Sequence, residues 1–136
     1  TPTMADKLKL VHPADLLEAP RIGLEKEWAA WFEMAGVASP TRAAARLTAD
    51  YQVLEVASAL GDQGVALASP ILFAREIRNG LLVRPFSQTV SFHTGYYLVW
   101  PEGRRRSPKI ARFRDWLAAQ ADADPTIVEA RAVRPA

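Results

Sequence analysis

Tyr96-Tyr97-Leu98-Val99-Trp100-Pro101 is an apolar run of strand length that ends at a proline. Its aromatic and β-branched residues predict a buried β-strand. Ser107-Pro108 then supplies a cap residue and a first-turn proline, which together predict the start of a helix. An apolar stripe at helical spacing extends this helix from Pro108 to about Gln120 and predicts one buried face. The stripe consists of Ile110, Phe113, Trp116 and Leu117.

The same alternation of strand and helix patterns continues upstream of this stretch. Val65-Ala66-Leu67-Ala68 is a short continuous apolar run between two helix patterns, which is typical of a parallel strand covered on both faces. Further strands are predicted at residues 20–24, 43–47 and 81–83. Helices are predicted around Trp28–Ala35, from Asp50 to Leu60 and from Ser69-Pro70 to Asn79-Gly80, with one helical turn at Pro13–Leu17. The alternation predicts an α/β protein with a mostly parallel sheet.

The predicted helix after Asp50 has a start signal and an apolar face. Asp50 stands where an N-cap residue belongs. The apolar series that follows is Val53, Leu54, Ala57 and Leu60. Gly61-Asp62-Gln63-Gly64 then turns the chain into the strand at Val65. By contrast, residues 121–136 show no consistent pattern and are predicted to be a flexible tail.

The composition is that of one ordinary globular domain. The chain has 136 residues, 49% of them apolar and 24% charged, with a net charge of +2. No apolar run approaches the length of a membrane span, and the first residues lack a signal-peptide pattern. The absence of cysteine excludes disulfides, thiolate nucleophiles and cysteine-ligated metals. We therefore expect a cytoplasmic protein.

The chain offers no pattern typical of an active site. His12 and His93 are far apart and lack a metal-ligand pattern, so we expect surface histidines, no metal and no cofactor. Phosphate-loop, dinucleotide and nucleophile-elbow motifs are absent, and the carboxylates are scattered. The basic run Arg104–Arg106 precedes the predicted helix start, where positive charge opposes the helix dipole. We interpret it as a solvated loop and do not expect an enzyme.

Four stretches, taken in order, resemble the C-terminal half of the effector-binding domain of LysR-type transcriptional regulators. Thr1-Pro2 with His12–Leu16 resembles that family's strand exit and Pro-x-Asp-Leu turn. Asp50–Leu67 resembles the helix, glycine turn and strand at the centre of the second subdomain. Ile71–Phe86 and Tyr96–Leu117 resemble the elements that follow. Asp62 departs from the pattern, because the family usually has glycine there.

The resemblance implies a fold like that of type 2 periplasmic binding proteins, with two α/β subdomains joined by a hinge. On this interpretation residues 1–86 form one complete Rossmann-like subdomain with the hinge strands. Residues 87–120 are the closing strand and helix of the other subdomain, and 121–136 are the tail. The chain then begins where the domain is already half built, and we expect it to be a fragment of a longer regulator.

The resemblance also implies a function and candidate residues. A small metabolite such as an amino acid or organic acid would bind in the cleft between the subdomains. DNA would be bound by an absent N-terminal winged helix-turn-helix, and the full-length protein would be a homodimer or tetramer. The expected effector-binding residues are Thr48, Ala49, Asp50, Tyr51 and Ser69. The expected hinge residues are Thr1, Pro2, Val83, Arg84, Pro85 and Phe86.

Purely structural roles, without a ligand, are alternatives for most of these residues. Asp50 and Ser69 are explained equally by helix capping, and Tyr51 by a packed or partly exposed aromatic ring. Two other functions share the predicted fold: a solute-binding protein and a stand-alone small-molecule-binding module.

Overall fold

The computed structural model describes residues 1–38, 45–47, 51–91 and 97–132. They form two compact units, Thr1–Ser91 and Phe92–Ala136. In chain order the first unit contains α1 (Pro2–Leu8), a 3-10 helix (Pro13–Leu17), β1 (Arg21–Ile22), α2 (Glu25–Met34), β2 (Ala45–Leu47), α3 (Gln52–Leu60), β3 (Val65–Ala66) and α4 (Ala74–Arg78). The second contains a 3-10 helix (Glu102–Arg104), α5 (Pro108–Ala123) and α6 (Pro125–Ala132).

The sheet of the first unit is parallel, as predicted. Its three strands lie in the order β2-β1-β3. Arg21 is paired with Ala45 on one side and with Val65 on the other. The predicted strands at 20–24, 43–47 and 65–68 are confirmed as the shorter strands Arg21–Ile22, Ala45–Leu47 and Val65–Ala66, and with them the α/β class.

The hydrophobic core of the first unit lies between α2 and the chain that precedes β1. The apolar spacing of α2 buries three aromatic side chains, Trp28, Trp31 and Phe32, against Leu16 and Ala19. Ring centroids within this aromatic cluster are 5.5–6.1 Å apart. Such aromatic pairs stabilise a core beyond the area that they bury. The helix stops at Gly36, which has a φ of +70°, the left-handed conformation in which glycine commonly ends a helix.

A fully buried arginine completes this core. The side chain of Arg21 is 0% exposed, and its Nη1 donates to the carbonyl oxygens of Leu16 and Leu17, both at 2.7 Å. Its guanidinium lies 5.9 Å from the Trp28 ring centroid and 5.3 Å from that of Phe32. These contacts fix the 3-10 helix to the first residue of β1 and compensate part of the cost of burying a charge.

Gly64 allows β3 to approach β1 closely. A Cβ at this position would lie 2.2 Å from the carbonyl oxygen of Pro20. That oxygen accepts a 2.9 Å hydrogen bond from the backbone N–H of Val65. At Asp62 the φ is +55°, so the aspartate in place of the family's glycine adopts the left-handed conformation and the turn survives.

Several predicted elements differ in the structure. Thr1-Pro2 is not a strand, because the Thr1 hydroxyl accepts a hydrogen bond from the Met4 N–H and Pro2 begins α1. Residues 81–83 are not a strand either. The N–H groups of Leu81 and Leu82 both donate to the Glu76 carbonyl and so close the end of α4.

The N-caps predicted at Asp50 and Ser69 also differ. The N-cap of α3 is Tyr51, one residue later than predicted, and Asp50 lies outside the described residues. Ser69 is not a cap, because α4 begins only at Ala74. The turn before α4 closes once, by the bond from Phe73 N to Ser69 O, and the helix is not propagated until Ala74.

Two predicted apolar faces are in the wrong place. On α3 the buried residues are Glu55, Val56 and Ala59, and the predicted face around Val53, Leu54 and Leu60 is exposed. On α5 no described side chain is buried.

The predicted strand 96–100 is wrong over its described part as well. Residues 97–100 form no strand, and Tyr97 and Val99 are exposed. Tyr96 lies outside the described residues. Among the residues that the structure describes, no strand pairs with this segment, so its apolar pattern does not produce a buried strand.

The helix α6 was not predicted. It begins at Pro125, after Asp124, whose carboxylate accepts from the N–H groups of Thr126 (2.8 Å) and Ile127 (3.3 Å). An aspartate before a proline is a helix start signal, so residues 125–132 of the predicted tail are helical.

Candidate functional site

The carboxyl ends of the three parallel strands define one edge of the sheet. Ile22, Leu47 and Ala66 are the last residues of β1, β2 and β3. In open parallel α/β sheets ligands bind outside this edge. The described segments that leave the edge are Gly23-Leu24 and Leu67–Ser69. Of the predicted effector-binding residues, Thr48, Ala49 and Asp50 lie outside the described residues.

Two helices begin next to this edge without a side-chain cap. The N-cap residue of α2 is Leu24 and that of α3 is Tyr51, and neither side chain makes a capping hydrogen bond. The first N–H groups of a helix have no partner within the helix, and without a cap they can donate to an acceptor on a ligand. The edge therefore offers backbone donors from α2 and from α3.

One hydrogen bond connects the predicted effector-binding residue Ser69 to the start of α3. The Oε1 of Gln52, the first residue of α3, accepts from the N–H of Ser69 at 3.2 Å. This bond brings the segment after β3 to the start of α3, next to Tyr51. The Tyr51 side chain is 71% exposed and the Ser69 residue is half-buried. Both can be reached by a small molecule.

Gly23 and Glu55 also belong to this edge, and the sequence analysis did not identify them. Gly23 has a φ of +112°, and a Cβ on it would lie 3.2 Å from Oε1 of Glu55. Glu55 is 2% exposed, although it lies in the first turn of α3 among apolar residues. A buried glutamate side chain therefore lies against Gly23, next to this edge. The signal available in the sequence was a glycine directly after an apolar strand.

The predicted hinge residues of the first unit do not form a strand pair. Thr1 and Pro2 begin α1, and Val83–Phe86 have no regular structure. Arg84 folds back on its own segment, donating from Nε to the Phe86 carbonyl at 3.0 Å and from Nη2 to the Ser87 carbonyl. Phe86 packs against the core, with its ring centroid 6.0 Å from that of Trp31.

Titration behaviour is clearest at the turn before the core. The carboxylate of Asp15 accepts from the backbone N–H groups of His12 (2.7 Å) and Val11 (2.8 Å). These bonds stabilise the charged form and lower the pKa of Asp15. The Asp15 bonds fix the entry to the 3-10 helix and lie away from the carboxyl edge of the sheet. His12 is exposed, as predicted.

No grouping of side chains suited to a metal ion occurs within the described ranges. Over the same ranges, every helix is too short or too polar to span a lipid bilayer.

The parallel α/β sheet agrees with the protein family that the sequence matches. The family model described as the LysR substrate binding domain matches residues 3–122. The chain therefore belongs to this family of effector-binding domains of LysR-type transcriptional regulators, and the predicted resemblance is confirmed. Membership implies a periplasmic-binding-protein-like α/β fold.

Individual relatives are transcriptional regulators. The transcriptional activator AmpR of Rhodobacter capsulatus is 35% identical over 114 residues, which are 82% of this chain and 38% of that protein. The regulator BlaA of Proteus vulgaris is 36% identical over 114 residues, with the same coverage of 82% and 38%. The chain thus spans about two-fifths of the length of these relatives. Both of these relatives are named as transcriptional regulators.

A solved structure agrees as well. The effector domain of the transcriptional regulator AmpR of Pseudomonas aeruginosa superposes with a TM-score of 0.73 at 30% identity. The match covers 96% of this chain and 60% of that domain. Both the family and the fold therefore extend over most of the chain.

Proposed function

We propose that this chain is the part of a LysR-type effector-sensing domain that binds a small metabolite at the carboxyl edge of the β2-β1-β3 sheet. The single observation that supports this site most strongly is the start of α3. There an uncapped helix N-terminus, the exposed Tyr51 ring and the Gln52–Ser69 hydrogen bond occur together. The family match supplies the expectation that such an edge holds an effector.

The proposed contacts come from three segments. Thr48, Ala49 and Asp50 follow β2, Tyr51 precedes α3, and Ser69 follows β3. A carboxylate or hydroxyl oxygen on the effector would accept from the first N–H groups of α3, while the Ser69 and Thr48 hydroxyls can donate or accept. An amino acid or a hydroxylated organic acid fits this pattern.

In the proposed mechanism the effector changes the angle between two subdomains. Residues 1–86 provide one of them with its hinge segments Thr1-Pro2 and Val83–Phe86, and residues 87–120 lead into the other, with 87–91 still packed in the first compact unit. Hinge closure around a ligand is the usual way in which such clefts report occupancy. DNA binding by the whole regulator belongs to a winged helix-turn-helix outside this chain, and we place the regulator in the cytoplasm with its DNA.

We also propose that the whole regulator is a homodimer or tetramer. The observation that supports this is the exposed apolar face of α3, with Val53 68% and Leu54 57% exposed. Apolar patches of this kind are typical of protein interfaces. If α3 forms the contact between copies, Val53→Asp lowers the molecular mass of the whole regulator measured by sedimentation. The substitution Val11→Asp, at a residue that is 70% exposed in a loop, leaves the mass unchanged.

The binding site is tested with a panel of the twenty amino acids and common organic acids, by calorimetric titration of the chain. For any member that binds, Ser69→Ala and Tyr51→Ala each weaken binding about tenfold, the effect of losing one good contact. The matched controls are Ser58→Ala, whose hydroxyl donates within α3 to the Leu54 carbonyl, and Tyr97→Ala. Equal effects of Ser69→Ala and Ser58→Ala would place the ligand elsewhere.

A further inference from the structure

The segment Arg84–Val90, named here the strap, crosses the aromatic cluster of α2 without becoming a strand. Phe86 and Val90 are half-buried and pack against the core cluster that contains Trp28, Trp31 and Phe32. The residues between them are exposed. The strap therefore contacts the core at two points and faces solvent elsewhere.

Trp31 is the residue that contacts the strap in two ways. Its ring lies 6.0 Å from the Phe86 ring, at an interplanar angle of 48°. Its Nε1 donates to the Gln88 carbonyl at 3.4 Å, a long hydrogen bond. Trp31 is itself 5% exposed and is packed on Trp28 and Phe32. A buried side chain of the core thus contacts a segment that forms no strand pairing of its own.

The remaining hydrogen bonds of the strap are internal. Arg84 donates to the carbonyls of Phe86 and Ser87. Within the described residues, no backbone-to-backbone hydrogen bond joins residues 83–91 to the rest of the first unit. Segments with few buried contacts and few backbone hydrogen bonds can open locally while the remaining structure stays folded. Within the described residues, the contacts of Trp31 and the packing of Val90 hold the strap to the first unit.

We infer that Trp31 is a positioning residue that docks the strap onto α2 through Phe86 and Gln88, and that the strap can undock without unfolding of the first unit. The inference rests on the proposed function in one respect, the assignment of Val83–Phe86 to the hinge. If these residues are the hinge, a docked strap moves together with α2. Rotation at the hinge is then transmitted to the sheet edge at Leu24, where α2 begins.

The chain contains no cysteine, so a single introduced thiol can report docking cleanly. Val90→Cys places the reporter at the half-buried contact with the core, and Val83→Cys places a control reporter in an exposed part of the same region. The rate of alkylation by iodoacetamide is measured for each. In the otherwise unchanged chain, Cys at position 90 reacts at least tenfold more slowly than Cys at position 83.

Phe86→Ala is then added to each reporter. It speeds alkylation at position 90 about tenfold and leaves position 83 unchanged, while the urea midpoint followed by circular dichroism stays the same. The milder Trp31→Phe keeps a ring but removes the indole N–H, and it speeds alkylation at position 90 about twofold to threefold. No ligand is used, so failure to find an effector does not affect this result.

Two results would overturn the inference. One is equal alkylation at positions 90 and 83 in the unsubstituted background, which would mean that the strap is not docked. The other is a fall in the urea midpoint that accounts for all of the faster labelling in Phe86→Ala, which would mean that the strap and the core unfold together. If Phe86→Ala does not fold, Trp31→Phe decides between local and global opening in the same way.

Discussion

The helices α2 and α5 carry aromatic and apolar residues at the same spacing, yet only α2 buries them. Trp28, Trp31 and Phe32 follow the pattern i, i+3, i+4, and so do Phe113, Trp116 and Leu117. The first three are at most 5% exposed, while Phe113 is 50% and Trp116 is 55% exposed. Both helices form. An amphipathic pattern therefore predicts a helix reliably, but its burial needs an opposing surface.

The opposing surface in the first unit is supplied by elements that surround α2. Leu16 and Ala19 cover the aromatic rings from one side, and Arg21 stacks on them from the first residue of the sheet. In the second unit Phe113 and Trp116 contact each other, with ring centroids 5.8 Å apart and nearly parallel rings. Stacking of two neighbours on one helix covers only part of each ring. Four substitutions test this contrast.

The largest effect is expected for Trp28→Ala. The side chain is 1% exposed, packs on Trp31 and Phe32, and donates from Nε1 to the Ile22 carbonyl at 2.9 Å. Its removal leaves a cavity and takes away the hydrogen bond to the Ile22 carbonyl, so the free energy of unfolding falls by about 3–5 kcal/mol. Urea denaturation followed by circular dichroism measures this. A loss below about 1 kcal/mol would show that the α2 cluster is not the core.

A smaller loss of stability is expected for Gly64→Ala, which disturbs the pairing of β3 with β1. The new Cβ would clash with the Pro20 carbonyl oxygen, so β3 has to move away from β1, and stability falls by about 2 kcal/mol or more. The control is Gly36→Ala, where φ is +70° but the space is open. Its cost is the left-handed conformation alone, about 1–2 kcal/mol. Equal losses at both sites would contradict the close approach of the strands.

Acid pH is expected to loosen the entry to the core at Asp15. Because the pKa of Asp15 is lowered in the folded state, the stability that its charged form contributes is fully present above the ordinary aspartate pKa of about 3.9. It is lost as the pH falls through the lower folded value. A pH titration of the His12 and Val11 amide signals by NMR follows this. In Asp15→Asn the change below about pH 4 should be absent.

The smallest effect is expected for Trp116→Ala. The ring is half exposed and its one aromatic contact among the described residues is Phe113, so stability changes by less than about 1 kcal/mol. The same urea experiment as for Trp28→Ala applies. A loss as large as that of Trp28→Ala would show that α5 is covered in solution.

The parallel sheet was predictable because its strands carry local signals. The apolar run at Val65 and the glycine before it marked β3, and the breaks at Gly36 and Gly80 were visible as glycines at helix ends. Family membership was also recognisable, since its motifs occur in order along the chain. These features depend on residues close to one another in sequence.

The remaining features depend on partners far away in sequence. The face that α3 buries was predicted around Val53, but contact with β1 and β3 selects Val56 and Ala59. A strand at Leu81–Val83 was favoured by composition, but those N–H groups close the end of α4. In the candidate site, Tyr51 and Ser69 were named from the family resemblance and from predicted helix starts, and their role stays a prediction. The neighbours Gly23 and Glu55 required the close approach of α3 to β1.

The pairing of β1 with two strands from later in the chain bears on the order of folding during synthesis. Arg21 lies close in sequence to Leu16, Trp28 and Phe32, so their contacts can form as soon as α2 has been made. Local contacts of this kind close quickly. The partners of Arg21 in the sheet, Ala45 and Val65, come later. Until Val65 is available, one edge of β1 is an open template, so a growing chain is most exposed to misassembly in this interval.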